Sequence, residues 1–457
     1  MAPNAGKLGG NRQFFQITVE SRERNFDIYG WPVELRPASL PSFPNNSGLG
    51  ESTQAQTLSE NRHDTPNINT GSCTIKDHAR AMANKEAGKQ ELNPYPFWAP
   101  RFWHGMRVGG WLRLMLPRLH RIHPLRIPMA LIVMVCAVFN SVLHRIERLI
   151  YGRAIDGTPL DKPPVFILGH WRSGTTYLHE LLVLDEQFAY PTTYECFAPN
   201  HFVLTGRIFP RLLGFLLPAK RPNDDMAVSF QHPQEDEFAL VAMGAPSPML
   251  RLAFPNDAPV HMEFLDMEGT DADDLRRWQD AMRQFIRTQT YLKGKPLVLK
   301  SPPHTGRIRM LAEMFPGAKF IHLVRDPYSL FASTRRLWYA LEQVQGFQFP
   351  KFKQLDEYVF SAFERMYRGF EEQRPSIPGS QICQVRYEDL ARDPLGEVQR
   401  VYEELKLGDF ESVREKIAAS VSDRKSYRTT RHETDEALKA KIRERWSDYF
   451  ERYGYGP

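Results

Sequence analysis

The chain has few cysteines for its length: four among 457 residues, at positions 73, 136, 196 and 383. No two of them stand in a CxxC spacing, so the sequence predicts neither a zinc site nor a disulfide-stabilised scaffold. The first 20 residues also lack the apolar core of a signal peptide. We therefore predict a cytoplasmic location, in a reducing compartment, and no bound metal.

Lysine is absent from residues 101–153, which contain nine arginines and one acidic residue, Glu147. The stretch includes an apolar run, Ile127–Leu143, that is interrupted by one proline and two polar residues. At 17 residues the run is at the lower limit for crossing a bilayer. Three interpretations are open: a helix packed against the rest of the protein, an interfacial helix attracted to anionic lipid, and a membrane anchor. We favour a packed or membrane-peripheral helix, which would suit a membrane-borne acceptor.

Composition divides the chain into three regions. Residues 1–90 are polar and show no sustained period, which predicts disorder or a non-catalytic extension. Residues 91–155 form the basic, partly apolar helical region, and residues 156–457 are predicted to be the catalytic domain. The arginines of the basic region are interleaved with apolar residues and match no known motif for recognising DNA or RNA, so we predict no nucleic-acid partner.

Strands alternate with helices after residue 160, which predicts an α/β fold with a P-loop-like parallel sheet flanked by helices. The clearest helix begins among the acidic residues 271–274 and ends before Gly294. Residues 195–265 are rich in proline and aromatic residues, and we expect them to cover the acceptor.

The segment from Pro164 to Leu178 has the pattern of a buried strand, a glycine-bracketed loop and a helix start, which binds phosphate. Its spacing is that of a P-loop, but Thr175 stands where the P-loop lysine belongs, and the cation comes earlier, at Arg172. Such a loop would be poor in a nucleoside triphosphatase but suits a phosphosulfate ester. The residues predicted to bind it are Arg172, Ser173, Gly174, Thr175 and Thr176. An ordinary turn capped by Ser173 is the alternative.

These residues resemble the 5′-phosphosulfate loop of the sulfotransferase family, which uses 3′-phosphoadenosine 5′-phosphosulfate (PAPS) as donor; Trp171 departs from the proline of many members. A second strand ends at Arg325 and leads into a helix that carries Ser333. That pair is similar to the family's 3′-phosphate site, although Arg325 could instead pair with a surface carboxylate. The resemblance covers roughly residues 160–430 and implies the sulfotransferase fold, with PAPS as co-substrate.

Three further elements resemble parts of the family site. Lys300 ends an apolar strand before a proline-rich turn, and the resemblance implies that it contacts the sulfuryl group. Tyr387 lies in a Tyr-Glu-Asp-Leu element that approaches the nucleotide in relatives, although it could equally pack under the sheet edge. Arg424 and Lys425 lie in a basic loop that implies contact with the 3′-phosphate, but Ser426 replaces the usual glycine.

A carboxylate or histidine must accept the proton of the acceptor. Glu195 is the first choice, because it follows the donor loop at about the distance of the family's basic glutamate. His232 and Glu235 are the second choice; Glu235 lies in a run of three acidic residues, where crowding is expected to raise some of their pKa values.

The predicted function is sulfuryl transfer from PAPS to a hydroxyl or amine of an unidentified acceptor. The alternatives are a P-loop kinase or nucleotide hydrolase, and a non-catalytic nucleotide-binding scaffold at the membrane.

Overall fold

The computed structural model of the protein describes Tyr95 and residues 99–217, 229–423 and 435–456. The predicted extension over residues 1–90 lies outside the described residues, as do Arg424 and Lys425.

The described residues contain a parallel sheet of four strands in the order β2-β1-β3-β4. The strands are β1 (Val165–Leu168), β2 (Val298–Lys300), β3 (Lys319–Val324) and β4 (Ile382–Arg386). Ile167 of β1 is level with Lys300, and Val324 of β3 is level with Arg386. Because all the strands are parallel, their carboxyl ends meet at one edge of the sheet.

Helices surround this sheet, and the α/β fold is as predicted. In chain order the α-helices of the described residues are α1 (Val108–Met115), α2 (Ile127–Asp156), α3 (Thr175–Leu182), α4 (Thr193–Phe197), α5 (Phe202–Thr205), α6 (Phe209–Leu212), α7 (Asp236–Met243), α8 (Ala272–Lys293), α9 (Ile308–Met314), α10 (Pro327–Gln345), α11 (Leu355–Gln373), α12 (Tyr387–Arg392), α13 (Pro394–Leu405), α14 (Glu411–Asp423), α15 (Glu436–Arg445) and α16 (Ser447–Tyr453). Short 3₁₀ helices are Phe102–Gly105, Leu116–Arg121, Pro124–Arg126, Gly214–Leu216, Pro248–Ala253, Met262–Leu265, Pro302–Arg307, Arg374–Ser376 and Gly379–Gln381.

Local capping explains where two long helices of the catalytic region begin. The side chain of Asp271 accepts hydrogen bonds from two backbone N–H groups of the first turn of α8, which ends at Gly294 in the left-handed conformation. The side chain of Asp326 accepts from the N–H of Ser329, and Pro327 opens α10. The predicted helix signals are thus confirmed.

Two apolar clusters cover the two faces of the sheet. Along β1, Phe166 and Leu168 belong to the larger cluster, while Val165 and Ile167 belong to the smaller one. Successive strand residues point to opposite faces, so both faces of the sheet are buried, as predicted. The larger cluster also contains buried residues of 99–156, so the basic helical region shares a core with the sheet.

Candidate functional site

The loop between β1 and α3 has a backbone conformation that requires glycine at two positions. Gly169 and Gly174 both have positive φ, and so does Arg172. A Cβ on Gly169 would lie 2.5 Å from Oγ of Ser173, and one on Gly174 would lie 2.3 Å from the ring of Tyr387. Both glycines are therefore required, because their neighbours approach closer than a side chain allows.

Unused hydrogen-bond donors converge at this loop. The hydroxyl of Ser173 is fully buried and has no hydrogen-bond partner among the described residues. Gly174 is the N-cap of α3 and supplies no side-chain cap, so the first N–H groups of that helix have no partner within it. Leaving a buried hydroxyl unsatisfied costs about 1–3 kcal/mol, which an anion in the loop would relieve. The side chain of Ser173 does not cap the turn, which counts against the alternative interpretation of the loop.

The structure brings the two predicted anion-binding elements together. Nε of Arg172 donates to Oγ of Ser333 over 2.9 Å, and Nη1 of Arg325 donates to the carbonyl oxygen of Arg172 over 2.8 Å. The contacts follow from the fold, because β1 and β3 are neighbouring parallel strands. Of the loop threonines, Thr175 is buried and Thr176 is half-buried at the start of α3.

Arg325 is a partly buried cation with no carboxylate ion partner among the described residues. Its guanidinium lies 4.2 Å from the ring centroid of Tyr387, a cation–π contact. Burial lowers the pKa of Arg325 and the nearby Arg172 adds to the shift, whereas Tyr387, Glu388 and Asp326 oppose it. Two guanidinium groups close together at this edge of the sheet suit an anionic ligand.

The C-terminal helix supports Arg325 in a way that the sequence did not predict. The hydroxyl of Tyr449 accepts from the N–H of Arg325 over 3.0 Å and donates to its carbonyl oxygen over 3.1 Å. Glu388 accepts from the N–H of Asp326 over 2.9 Å and from the hydroxyl of Tyr455 over 3.0 Å. No local pattern identifies these partners, since Tyr449 and Arg325 are 124 residues apart.

Lys300 forms the next part of the site, on the strand beside the loop. It is 3% exposed, and its Nζ lies 2.7 Å from Oε1 of Glu235. Glu235 is half-buried just before α7. The 3₁₀ turn after Lys300 also holds the loop, because Oγ1 of Thr305 accepts from the N–H of Gly169 over 2.8 Å.

The two acids after Glu235 are also paired. Asp236 accepts from His304 over 2.6 Å and from Ser301 over 3.0 Å, and Glu237 receives both terminal nitrogens of Arg307 at 2.7 and 3.0 Å. Burial raises the pKa of Asp236, but His304 and Ser301 outweigh it and hold the pKa below its ordinary value. Asp236 is thus not one of the acids whose pKa crowding raises, because His304 and Ser301 donate hydrogen bonds to it.

The first choice of base, Glu195, caps a helix and bonds neighbouring side chains. Its Oε2 accepts from the N–H of Thr192 over 2.8 Å, closing a capping box at the start of α4. The same oxygen lies 2.7 Å from Nζ of Lys293 and 3.2 Å from Nε2 of Gln289. The third candidate, His232, uses its backbone oxygen to accept from Thr193 over 2.8 Å. Of the three candidates, Glu235 is the one in an ion pair with Lys300.

Metal ligation has no support within the described stretches, where no group of three or more His, Cys, Asp or Glu residues is placed to hold an ion.

Comparison with known proteins agrees with this geometry. Residues 163–411 match the family model described as "Sulfotransferase family". The chain is 39% identical over 364 residues to the omega-hydroxy-beta-dihydromenaquinone-9 sulfotransferases Stf3 of Mycobacterium bovis and Mycobacterium tuberculosis, an alignment that covers 80% of this chain and 94% of each relative.

Solved structures of the same fold are also similar. Sulfotransferase STF9 from Mycobacterium avium superposes with a TM-score of 0.60 at 16% identity, covering 85% of this chain and 98% of that one. Sulfotransferase STF1 from Mycobacterium tuberculosis H37Rv gives a TM-score of 0.52 at 18% identity, covering 82% and 99%. The predicted sulfotransferase fold is confirmed, and neither the kinase nor the scaffold alternative is favoured. The chain belongs to the sulfotransferase family and is an enzyme that transfers a sulfuryl group to an acceptor.

Proposed function

We propose that the donor is PAPS and that the edge formed by β1, β3 and β4 binds it. The 5′-phosphosulfate would contact the loop residues Arg172 to Thr176, and the 3′-phosphate would contact Arg325 and Ser333. The single observation that carries this proposal is the direct hydrogen bonding of Arg172 to Ser333 and of Arg325 to Arg172. One nucleotide can therefore reach both elements. Arg424 and Lys425 remain proposed 3′-phosphate contacts from the sequence alone.

Tyr387 would contact the nucleotide between these elements. Its ring already touches Gly174 of the loop and lies under the guanidinium of Arg325. A ring at this position favours a planar base or a sugar face and helps to keep Arg325 oriented towards a phosphate.

Glu235 is our proposed base. It would accept the proton of the acceptor hydroxyl while the acceptor oxygen forms a bond to sulfur. The bond from sulfur to the 5′-phosphate oxygen breaks, and adenosine 3′,5′-bisphosphate leaves with the electron pair. Lys300 and Arg172 would neutralise charge on the sulfuryl and phosphate oxygens, since fixed cations act strongly at a partly buried site.

Glu235 is preferred to Glu195 because of their partners. Glu235 shares an ion pair with Lys300, whose strand borders the donor loop, and it is half-buried. Glu195 already closes a capping box and binds Lys293. A base must also be reached by the acceptor hydroxyl, and Glu195 is only 4% exposed.

For the acceptor we propose the terminal hydroxyl of an isoprenoid quinone or a similar hydroxylated lipid. The support is the 39% identity to sulfotransferases named for omega-hydroxy-beta-dihydromenaquinone-9, over 94% of their length. The three cysteines of the described residues, Cys136, Cys196 and Cys383, are unpaired, which supports the cytoplasmic location. An enzyme with this acceptor would work at the cytoplasmic face of a membrane.

Calorimetry with adenosine 3′,5′-bisphosphate and with ATP, each with and without Mg²⁺, tests the donor. We expect metal-independent binding of the bisphosphate and much weaker binding of ATP. Arg325→Ala should weaken bisphosphate binding by about 2–3 kcal/mol, roughly 30- to 150-fold, because a charge-assisted contact to phosphate is lost. Preference for ATP, or an unchanged affinity in Arg325→Ala, would remove PAPS from this edge of the sheet.

A transfer assay tests the acceptor class separately. The purified protein, with ³⁵S-labelled PAPS, is given an omega-hydroxylated menaquinone in detergent micelles, the same quinone without the hydroxyl, and a simple phenol. We expect label in the hydroxylated quinone alone, with mass spectrometry locating one added sulfate. Label in the phenol alone would overturn the lipid acceptor and leave the donor assignment intact.

A further inference from the structure

Helix α2 has two faces of different character. Most of the residues that face the protein are small or polar, and the opposite face is exposed and apolar. The buried residues are Ala130, Val133, Ala137, Asn140, Glu147, Gly152 and Ile155. The large exposed residues are Ile127, Leu131, Ile132, Val135, Val138, Phe139, Val142, Ile146, Leu149 and Ile150. By length and composition the helix could cross a bilayer.

The buried face ties α2 to the protein through polar contacts. Nδ2 of Asn140 donates to the carbonyl oxygens of His104 and Met106 at 2.7 and 2.9 Å. Oε2 of Glu147 accepts from the N–H of Leu204 over 2.9 Å. Crossing a membrane would strip these groups of their partners in hydrocarbon, at several kcal/mol each. The contacts therefore favour a helix that stays on the protein and presents its other face.

A second segment extends the exposed face of α2. The ring of Phe209 stacks on that of Phe139 with centroids 6.1 Å apart, and Ile208, Leu212 and Phe215 beside it are exposed. We call the exposed large hydrophobic residues of 116–150 and 208–215 the apolar face. Within the described residues, all the exposed large hydrophobic residues but two belong to it. Such concentration marks an interaction site.

The charges at the border of the apolar face indicate which kind of partner it binds. No charged residue occurs between Ile127 and His144, while Arg126 precedes this stretch and Arg145 follows it. Arg145 and Arg153 are exposed and have no carboxylate partner in the described part of the chain. Both ends of α2 are thus positive. A second copy packed along this face in the antiparallel direction would bring arginines beside arginines, whereas anionic lipid headgroups complement both ends.

We propose that the apolar face docks on an anionic lipid bilayer, with α2 lying in the plane of the interface. The exposed side chains would enter the boundary between headgroups and acyl chains, and the flanking arginines would contact the headgroup phosphates. The docking surface is inferred from its own residues; only its purpose, access to a lipid acceptor, rests on the proposed function.

Vesicle flotation of the full chain tests the docking without donor or acceptor. The probes are vesicles of phosphatidylcholine alone and vesicles of equal parts phosphatidylcholine and phosphatidylglycerol. We expect flotation with the anionic vesicles, and weaker flotation with phosphatidylcholine or at high salt. Absence of flotation with the anionic vesicles would overturn the proposal whatever the acceptor proves to be.

Paired variants separate the apolar face from general charge effects. Val135→Glu with Leu149→Glu changes two of its most exposed residues, at 69% and 86% exposure, and should lower partition into anionic vesicles roughly tenfold or more. The control, Gln384→Glu with Ala419→Glu, adds the same charge at exposed positions of β4 and α14. Those elements contribute to the smaller apolar cluster, which contains no residue of 99–156. Equal loss in the control would overturn the proposal.

Three further measurements test the contribution of the arginines, the folding of the variants and self-association of the protein. Arg145→Gln with Arg153→Gln should weaken binding to anionic vesicles roughly tenfold or more and leave binding to phosphatidylcholine unchanged. Bisphosphate calorimetry on every variant shows that the protein remains folded. Sedimentation equilibrium tests whether a second copy of the chain covers the apolar face instead. A stable dimer that Val135→Glu dissociates, in a protein that does not bind vesicles, would show that a second copy covers this face. It would overturn the proposal of docking on a bilayer.

Discussion

The proposed donor and acceptor sides of the site differ in how their cations are paired. On the donor side, Arg325 contacts a backbone carbonyl and the ring of Tyr387 and has no carboxylate partner among the described residues. On the acceptor side, Lys300 and Arg307 each have a carboxylate partner, at 2.7 Å. The guanidinium of Arg325 is thus outside any ion pair of the described residues, whereas Lys300 and Arg307 are each paired with a carboxylate.

This difference matches the ligands that each side would receive. A phosphosulfate brings several negative charges and can form charge-assisted hydrogen bonds with Arg325 on the donor side. A hydroxyl is neutral, so a site for it needs a proton acceptor held by an internal cation rather than an excess of charge. Glu235 would be such a proton acceptor, and Lys300 is the internal cation that holds it.

The largest expected effect concerns the acceptor side. Glu235→Gln should lower kcat by about 10²- to 10⁴-fold, because the variant cannot take the acceptor proton. Its affinity for adenosine 3′,5′-bisphosphate should stay within a few-fold, as measured by calorimetry. Glu195→Gln is the matched control and should keep most of its turnover. An inactive Glu195→Gln beside an active Glu235→Gln would return the role of base to Glu195.

Unfolding experiments address the difference in charge directly. Arg307→Leu should lower the free energy of unfolding by about 3–5 kcal/mol, because Glu237 is left buried without its partner. Arg325→Leu in the same urea titration should lower the stability of the ligand-free enzyme by less, since it leaves no carboxylate buried without an ion partner. If both variants lose stability equally, the two sides do not differ as described.

Glu147 offers a pH test on a buried acid that has no ion pair in the described part of the chain. Burial raises its pKa from 4.5 to about 7, although hydrogen bonds from Leu204 and Val203 oppose the shift. Between those two pH values the folded protein binds the proton and the unfolded chain does not, so stability falls as pH rises through the window. Glu147→Gln should match the wild type at pH 4 and exceed its stability at pH 8 by on the order of 3 kcal/mol.

Chemical denaturation of both proteins at these two pH values measures the difference. A difference that does not change with pH would show that Glu147 has an ordinary pKa.

The smallest expected effect is on the support of the donor side. Tyr449→Phe removes the hydroxyl that bonds both backbone groups of Arg325. Bisphosphate affinity should fall by about 0.5–1.5 kcal/mol, or up to about tenfold, because Arg325 is held less firmly. Tyr453→Phe is a control in the same helix, since its hydroxyl bonds Glu371 instead. Equal losses in both variants would assign the effect to the helix as a whole.

Much of the donor side was predictable because its parts are local in sequence. The loop needs two glycines of positive φ within six residues, and Arg325 follows a strand whose apolar run is plain in the sequence. The caps at Asp271 and Asp326 were also predictable, because a cap acts within one turn. The conformation of such segments depends mainly on residues close to them in the sequence.

The acceptor side could be predicted only as a set of candidates. Glu235 and Lys300 are 65 residues apart, and nothing near either residue indicates the other. The distance of Glu195 from the loop made it the natural first choice, but spacing along the chain does not reveal that Lys293 and Thr192 already occupy its carboxylate. Similarly, the apolar run of α2 left three interpretations open, and the sequence did not indicate which residues of the helix would be buried.

The sequence by itself determined the fold class, the glycine loop after β1 and the residues that end each strand, because backbone conformation and strand burial depend on neighbouring residues. Only the tertiary structure decided which acid meets Lys300, that Tyr449 supports Arg325, and which face of α2 is left uncovered. Those contacts join residues far apart in the chain, and their energies depend on distances that exist only after the sheet has assembled.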